Sequence, residues 1–228
     1  MNKTAIAPMQ LYILCMLMAA CSVAACSVAP PSFMAQGSRL LVVATDAEGS
    51  RDEHLSFFTS VADGDGVDDI EMLYIVHDGE ELCWILEPGS WQRSDEGASV
   101  WIGSNALDAP GPTIPRGLYR AILIDKAGER GESSFLISAP ESSVYDLPSI
   151  KLSGSSVVVG SPYPSNTAFF LDSGGNVTKT VPVAQGDVPL DSLWPQGQWR
   201  SGADYIAVYG LDPKSETGFF SWKIRLPD

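Results

Sequence analysis

The sequence predicts an all-β protein: two antiparallel β-sandwich domains in tandem behind an N-terminal export signal. Three observations carry this. Beyond residue 37 helical periodicity is almost absent, and short runs of Val, Ile, Tyr, Phe and Trp alternate with Gly, Pro, Asp and Ser clusters. Two hairpin patterns in the first half recur, in the same order, in the second. The first 30 residues differ from all that follows, with Lys3 as their only charged side chain.

The leader comes first. Leu11–Ala20 is an unbroken apolar run after a basic start, followed by small residues, which is the pattern of an export signal. The run is half the ~20 residues a bilayer-spanning helix needs. Met18-Ala19-Ala20-Cys21 and Val23-Ala24-Ala25-Cys26 both resemble the lipobox of bacterial lipoproteins, in which small residues precede a cysteine. The resemblance implies diacylation of that thiol, cleavage just before it and stable attachment to a membrane, since two acyl chains hold where one does not. Cys21 directly follows the apolar run and is preferred; Cys26 has the more typical Val three places before it. Residues 1–20 are then the signal peptide (1–25 for Cys26). Ser22 or Ser27 after the cysteine, in place of Asp, implies sorting to the outer membrane of the cell envelope.

Residues 21–36, with Ala29-Pro30-Pro31-Ser32, read as an extended lipidated tether. The first domain, 37–138, contains a strand over Ile70–His77 with Ile70, Met72, Tyr74 and Val76 on one face and Glu71, Leu73, Ile75 and His77 on the other. Asp78-Gly79 supplies a tight turn with positive φ, and Leu82–Leu86 the partner strand. Gly117–Ile124, a turn at Asp125-Lys126-Ala127-Gly128 and Ser133–Ile137 form a second hairpin. Ser138-Ala139-Pro140-Glu141-Ser142-Ser143 is the linker into the second domain, 139–228. There, Ala168–Leu171 and Val177–Val181 repeat the first hairpin around Asp172-Ser173-Gly174-Gly175, and Tyr205–Tyr209 with Phe219–Ile224 repeats the second. The repeat near 90 residues suits two small sandwiches, each large enough for its own core.

Ala62-Asp63-Gly64-Asp65-Gly66-Val67 leading into Ile70-Glu71-Met72-Leu73-Tyr74, with Gly117-x-Tyr119-x-Ala121 and Ile124-Asp125-x-Ala127-Gly128, resembles bacterial immunoglobulin-like (Big-type) domains. The second half keeps Tyr205-x-Ala207 and the hairpin order and lacks the Asp-Gly motif. The resemblance implies that Tyr119 and Tyr205 form "tyrosine corners", each hydroxyl bonding nearby backbone. Ala121 and Ala207 stand where antibody-type domains have a cysteine, so packing must replace that disulfide.

Charge narrows the partners. The chain carries a formal −14, which becomes −15 once the leader removes Lys3 and no acid. That repels nucleic acid and anionic lipid surfaces. Residues 37–138 hold 19 Asp/Glu against 7 Lys/Arg; 139–228 hold 9 against 6. Cys83 is the only cysteine inside the folded region and is expected to be a buried free thiol.

Three groups of side chains are candidates for chemistry. Asp63, Asp65 and Asp69 form a partial calcium loop, against the reading of a solvated turn, which is preferred; no cofactor other than the covalent lipid is expected. An EF-hand is excluded, because its bidentate glutamate falls at Tyr74. His54 and His77, the only histidines, lack the neighbours of a triad or zinc site, and His77 is expected to be an exposed turn neighbour. Trp84 and Trp222 are expected in the core. Trp91, Trp101, Trp194 and Trp199 lie near loops, where they either cap the sandwiches, which is preferred, or stack on sugars. The expected function is therefore non-catalytic: an envelope lipoprotein presenting Ig-like domains to a protein partner, in adhesion or in envelope structure. Its membrane contact is the lipid anchor, and glycan binding through the loop tryptophans is the alternative.

Overall fold

The computed structural model describes residues 29–227. Cys21, Cys26 and the signal segment lie outside the described residues. In chain order the first half contributes β1 (Ser32–Ala44), β2 (Arg51–Ala62), β3 (Ile70–His77), β4 (Leu82–Leu86), β5 (Gln92–Glu96), β6 (Ser99–Asp108), β7 (Gly117–Asp125) and β8 (Arg130–Ile137). The second contributes β9 (Ser149–Ser153), β10 (Ser156–Gly160), β11 (Ser165–Leu171), β12 (Val177–Pro182), β13 (Gly186–Pro189), β14 (Tyr205–Asp212), β15 (Thr217–Phe220) and β16 (Ile224–Arg225). Apart from single 3-10 turns, the described helices are the one-turn α1 (Leu190–Leu193) and α2 (Trp199–Gly202). The fold is all-β.

The strands form three sheets. One runs β12-β11-β14-β15-β1-β2-β6-β5, with β16 also on β14; a second runs β4-β3-β7-β8; a third runs β13-β10-β9. The first crosses both halves of the chain, because β15 lies parallel to β1 in the register Leu40↔Thr217 to Val43↔Phe220. The neighbouring ladders β1·β2 and β14·β15 are antiparallel. The two sequence halves thus contribute strands to one shared sheet.

Two cores follow from strand alternation. Leu40 and Val42 of β1, Leu55 and Phe57 of β2 and Ile102 of β6 meet Leu73 and Ile75 of β3, Tyr119 of β7 and Phe135 of β8 in the first. Phe57 and Phe135 stack across the two sheets at 4.7 Å between centroids. In the second, Val157 and Val159 of β10 meet Ala168 and Phe170 of β11 and Ile206 and Val208 of β14, with Leu190, Leu193 and Trp199 closing one side.

Several expectations need correction. The tether is shorter, because Ser32–Gln36 already belong to β1, paired with Ala62 through Thr59 of β2. In β3 the register shifts between Ile70 and Met72 as it pairs with β7, so Ile70, Leu73, Ile75 and His77 all turn inward. Behind β3 the chain makes a 3-10 turn over Asp78–Glu80, and positive φ falls on Glu81, not Gly79. The Ser138–Ser143 segment is clamped: Ala139 and Ser142 are buried, and Arg51 Nη1 donates to the carbonyls of Ser142 and Tyr145 at 2.9 and 2.8 Å. Cys83 is exposed, not buried, because β4 turns Leu82, Trp84 and Leu86 inward and Cys83 and Ile85 outward. Trp222 is 39 % exposed, since the chain leaves the sheet between β15 and β16.

Tyr119 meets its expectation, its hydroxyl donating to the Pro115 carbonyl at 2.6 Å. Tyr205 does not. It is half-buried, with Lys223 Nζ 4.9 Å above its ring, and the buried tyrosine among the described residues of the second half is Tyr163, whose hydroxyl donates to the Asp146 carbonyl at 2.6 Å.

Candidate functional site

Because the shared sheet is continuous through β1 and β15, side chains pointing away from both cores come together on its outer face. On β1 these are Arg39, Leu41 and Val43; on β2, His54 and Ser56; on β11, Phe169 and Leu171; on β14, Tyr209; on β15, Phe220. They line an open trough of about 610 Å³. Three rings form its aromatic end: Phe220 lies 4.9 Å from Tyr209 and 5.2 Å from Phe169, centroid to centroid. Arg39 Nη1 donates to the Tyr209 hydroxyl at 3.3 Å, fixing ring and guanidinium together. The opposite end is polar. His54 Nδ1 meets Asp108 Oδ1, and Ser56 Oγ donates to Asn105 Oδ1 at 2.7 Å.

An apolar floor with a few oriented polar groups is the general chemistry of a binding surface. The His54–Asp108 pair has the makings of two members of a hydrolytic triad, yet Ser56 Oγ is engaged by Asn105 and not by His54. Apart from His54, weighed and set aside as a catalytic or zinc-binding group, none of these trough residues was singled out from the sequence. Half-buried apolar residues on alternate strand positions look locally like the outer face of any sandwich, and the signal is their convergence across the β1–β15 joint.

The other candidates divide. Asp63 and Asp69 come together, Asp65 stands outside, and Asp125 takes the third place: ligand oxygens of Asp63, Asp69 and Asp125 lie within 4.8 Å of one another. His77 is buried rather than an exposed turn neighbour. Its Nδ1 accepts the Glu80 N–H at 3.2 Å and its Nε2 faces the Arg116 carbonyl at 3.1 Å, so the proton sits on Nε2 and the ring is a structural plug beside Tyr119.

Of the loop tryptophans, Trp199 is 1 % exposed, its Nε1 donating to Asp191 at 2.9 Å and Arg200 lying over its ring at 4.1 Å. It is a core residue and offers no face to a sugar. Trp194 packs edge-on to Phe170, with Lys179 Nζ 5.3 Å from its ring. Trp91 and Trp101 are half-buried, Trp91 against the first core. Trp84 is half-buried against the same core and donates to the Asp108 carbonyl at 2.8 Å.

No protein-family model matches the chain, and no curated protein matches it in sequence. Among solved structures it is similar to Tp47, the 47-kilodalton lipoprotein of Treponema pallidum, at 13% identity and a TM-score of 0.41. The similarity covers 89% of this chain and 51% of that one, so the chain spans about half the length of its structural neighbour. Among the described residues no helix is long and apolar enough to cross a membrane.

Proposed function

We propose that this chain is a lipid-anchored cell-envelope protein, sorted to the outer membrane, whose non-catalytic body holds a protein partner on the outer face of its shared sheet. The observation that supports this best is the trough. Leu41, Val43, Phe169, Leu171 and Phe220 are left half-buried side by side, where a monomer without a partner would gain by carrying polar groups. Support for the anchor is the paired lipobox-like sequence ending in Cys21 or Cys26. The Ig-like reading rests on strand order. β1-β2-β6-β5 packs over β4-β3-β7-β8, and β9-β10-β13 over β12-β11-β14-β15, the A-B-E-D over C′-C-F-G order with one strand missing from the second copy. Sugar stacking loses its central residue with the burial of Trp199.

The anchor is tested by feeding cells a clickable fatty acid: label enters the wild type and disappears in the Cys21→Ser, Cys26→Ser double variant. Label retained there refutes it. The sheet face is tested by photo-crosslinking in intact cells from a benzophenone side chain at position 169, with position 158 on β10 as control. A discrete protein adduct from 169 alone, lost on Leu41→Asp, is the expected result. Polysaccharide adducts, or the same pattern from both positions, would overturn the assignment.

A further inference from the structure

We infer that Asp63, Asp69 and Asp125 form a calcium site that ties the two sheets of the first core together at the end where the chain enters the body. Asp63 Oδ1 accepts the Asp65 N–H at 3.1 Å, holding its own loop, and Asp125 Oδ1 accepts the Glu129 N–H at 2.8 Å, holding the β7–β8 turn. Their second oxygens, Asp63 Oδ2 and Asp125 Oδ2, are buried and have no hydrogen-bond partner. Asp125 as a whole is 0 % exposed. A fully buried carboxylate with one oxygen bare is rare in folded proteins unless a ligand completes it.

Charge points the same way. Three carboxylates with oxygens inside 4.8 Å repel one another unless a cation sits among them. Lys126 stands at the edge of the cluster, its ammonium donating to the Asp68 carbonyl at 2.9 Å and coming only to 4.0 Å of Asp69 Oδ1. One lysine at the rim leaves the centre uncompensated. Asp68 plays no part, being turned outward onto Arg93 Nη1 at 2.6 Å. The donor set is all oxygen, which selects a hard cation, and three carboxylates brought together from separate elements suit calcium, which accepts irregular oxygen geometry, better than magnesium, which demands a near-ideal octahedron and keeps most of its water.

The placement says what the ion does. Asp63 follows the last residue of β2 in the shared sheet, Asp69 immediately precedes β3, and Asp125 ends β7, where it pairs with Ile70. An ion there joins one layer of the sandwich to the other. The same loop touches the incoming chain: a Cβ at Gly64 would lie 3.3 Å from Ala29 Cβ. Ala29 is three residues after Cys26 and eight after Cys21. A site of few protein ligands fills at the roughly 10⁻⁴–10⁻³ M calcium bound by extracellular modules. This inference does not depend on the sheet-face reading above.

The test uses the full-length chain in detergent, stripped with EDTA and titrated with calcium chloride by calorimetry and by thermal melting. One calcium per chain is expected, with the melting temperature raised by about 5–10 °C at a hundredfold excess over the dissociation constant. Asp125→Asn and Asp63→Asn should each weaken binding tenfold or more. Asp65→Asn, whose side chain lies outside the cluster, should bind as the wild type does. No binding by the wild type up to about 10 mM calcium, an equal response to magnesium, or wild-type binding by Asp63→Asn and Asp125→Asn would each overturn the site.

Discussion

Glu53 and Arg116 form a two-pronged ion pair between β2 and the segment before β7, with Nη1–Oε2 at 2.7 Å and Nη2–Oε1 at 3.0 Å and the Glu53 side chain wholly removed from solvent. Every remaining group of the pair is used. Glu53 also accepts the N–H groups of Ile114 at 2.9 Å and Ser142 at 3.3 Å, and Arg116 donates to the carbonyls of Ala139 at 2.7 Å and Pro140 at 2.9 Å. One charge pair therefore fastens the crossing between the halves to the first core.

Removing one partner leaves the other buried and bare. Glu53→Ala or Arg116→Met should each destabilise by about 3–5 kcal/mol in urea unfolding, and the double variant should cost clearly less than the two losses added. Additive losses would mean that the two side chains act independently.

The same pair sets an acid limit. Burial alone would raise the Glu53 carboxyl, but hydrogen bonds from Arg116, the Ile114 N–H and Ser142 outweigh it and hold the group below its ordinary 4.5. A carboxyl with a lowered folded value contributes its stability above the unfolded value and loses it as pH falls through the folded one. Stability measured against pH should therefore begin to drop below about 4.5, and Glu53→Gln, less stable at neutral pH, should show a shallower acid limb. Parallel acid limbs in the two proteins would remove Glu53 from that role.

How far the sequence reached depends on how local each signal is. β3, β4, β7 and β8 were legible because period-two alternation and Asp-Gly or Asp-Lys-Ala-Gly turns sit within a few residues. β5 was not: Gln92–Glu96 is exposed throughout, and only its pairing with β6 makes it a strand. The β1–β15 ladder joins Leu40 to Thr217 and has no local mark at all. The carboxylate site was half legible. Asp63 and Asp69 announce themselves in a Gly-rich cluster, whereas Asp125 arrives through the β3–β7 register. Trp199 misled because Gly, Pro and Gln flank it, yet α2 turns its ring into the second core.

At high pH the tyrosine hydroxyls take over. Burial pushes the Tyr119 phenol up to about 12 and raises Tyr163 further. A phenol raised above its unfolded value of 10 contributes stability that is complete below pH 10 and lost as pH climbs through the folded value. Ultraviolet titration should show Tyr119 and Tyr163 ionising only as the protein unfolds, above pH 10. Tyr119→Phe should lose the bond to Pro115, about 1–2 kcal/mol at neutral pH, and flatten part of the alkaline limb. Ionisation of Tyr119 and Tyr163 near pH 10 in the folded protein would contradict their burial.

The shared sheet makes a last prediction. Phe219 of β15 is a member of the first core, stacked on Tyr163 at 4.6 Å and tilted against Tyr145 at 4.9 Å, although all three belong to the second half of the sequence. A fragment ending at Ser138 keeps β1 but loses its neighbour β15, which opens an edge along Leu40–Val43 and uncovers the pocket filled by Phe219 and Tyr163. Unpaired edges and missing core side chains both destabilise and invite aggregation. The whole chain should thus melt in one calorimetric transition with matching van't Hoff enthalpy, and the 29–138 fragment should melt lower by about 10 °C or more. Two separated transitions, with the fragment reproducing one of them unchanged, would show that the β1–β15 ladder couples nothing and that the halves fold as independent units.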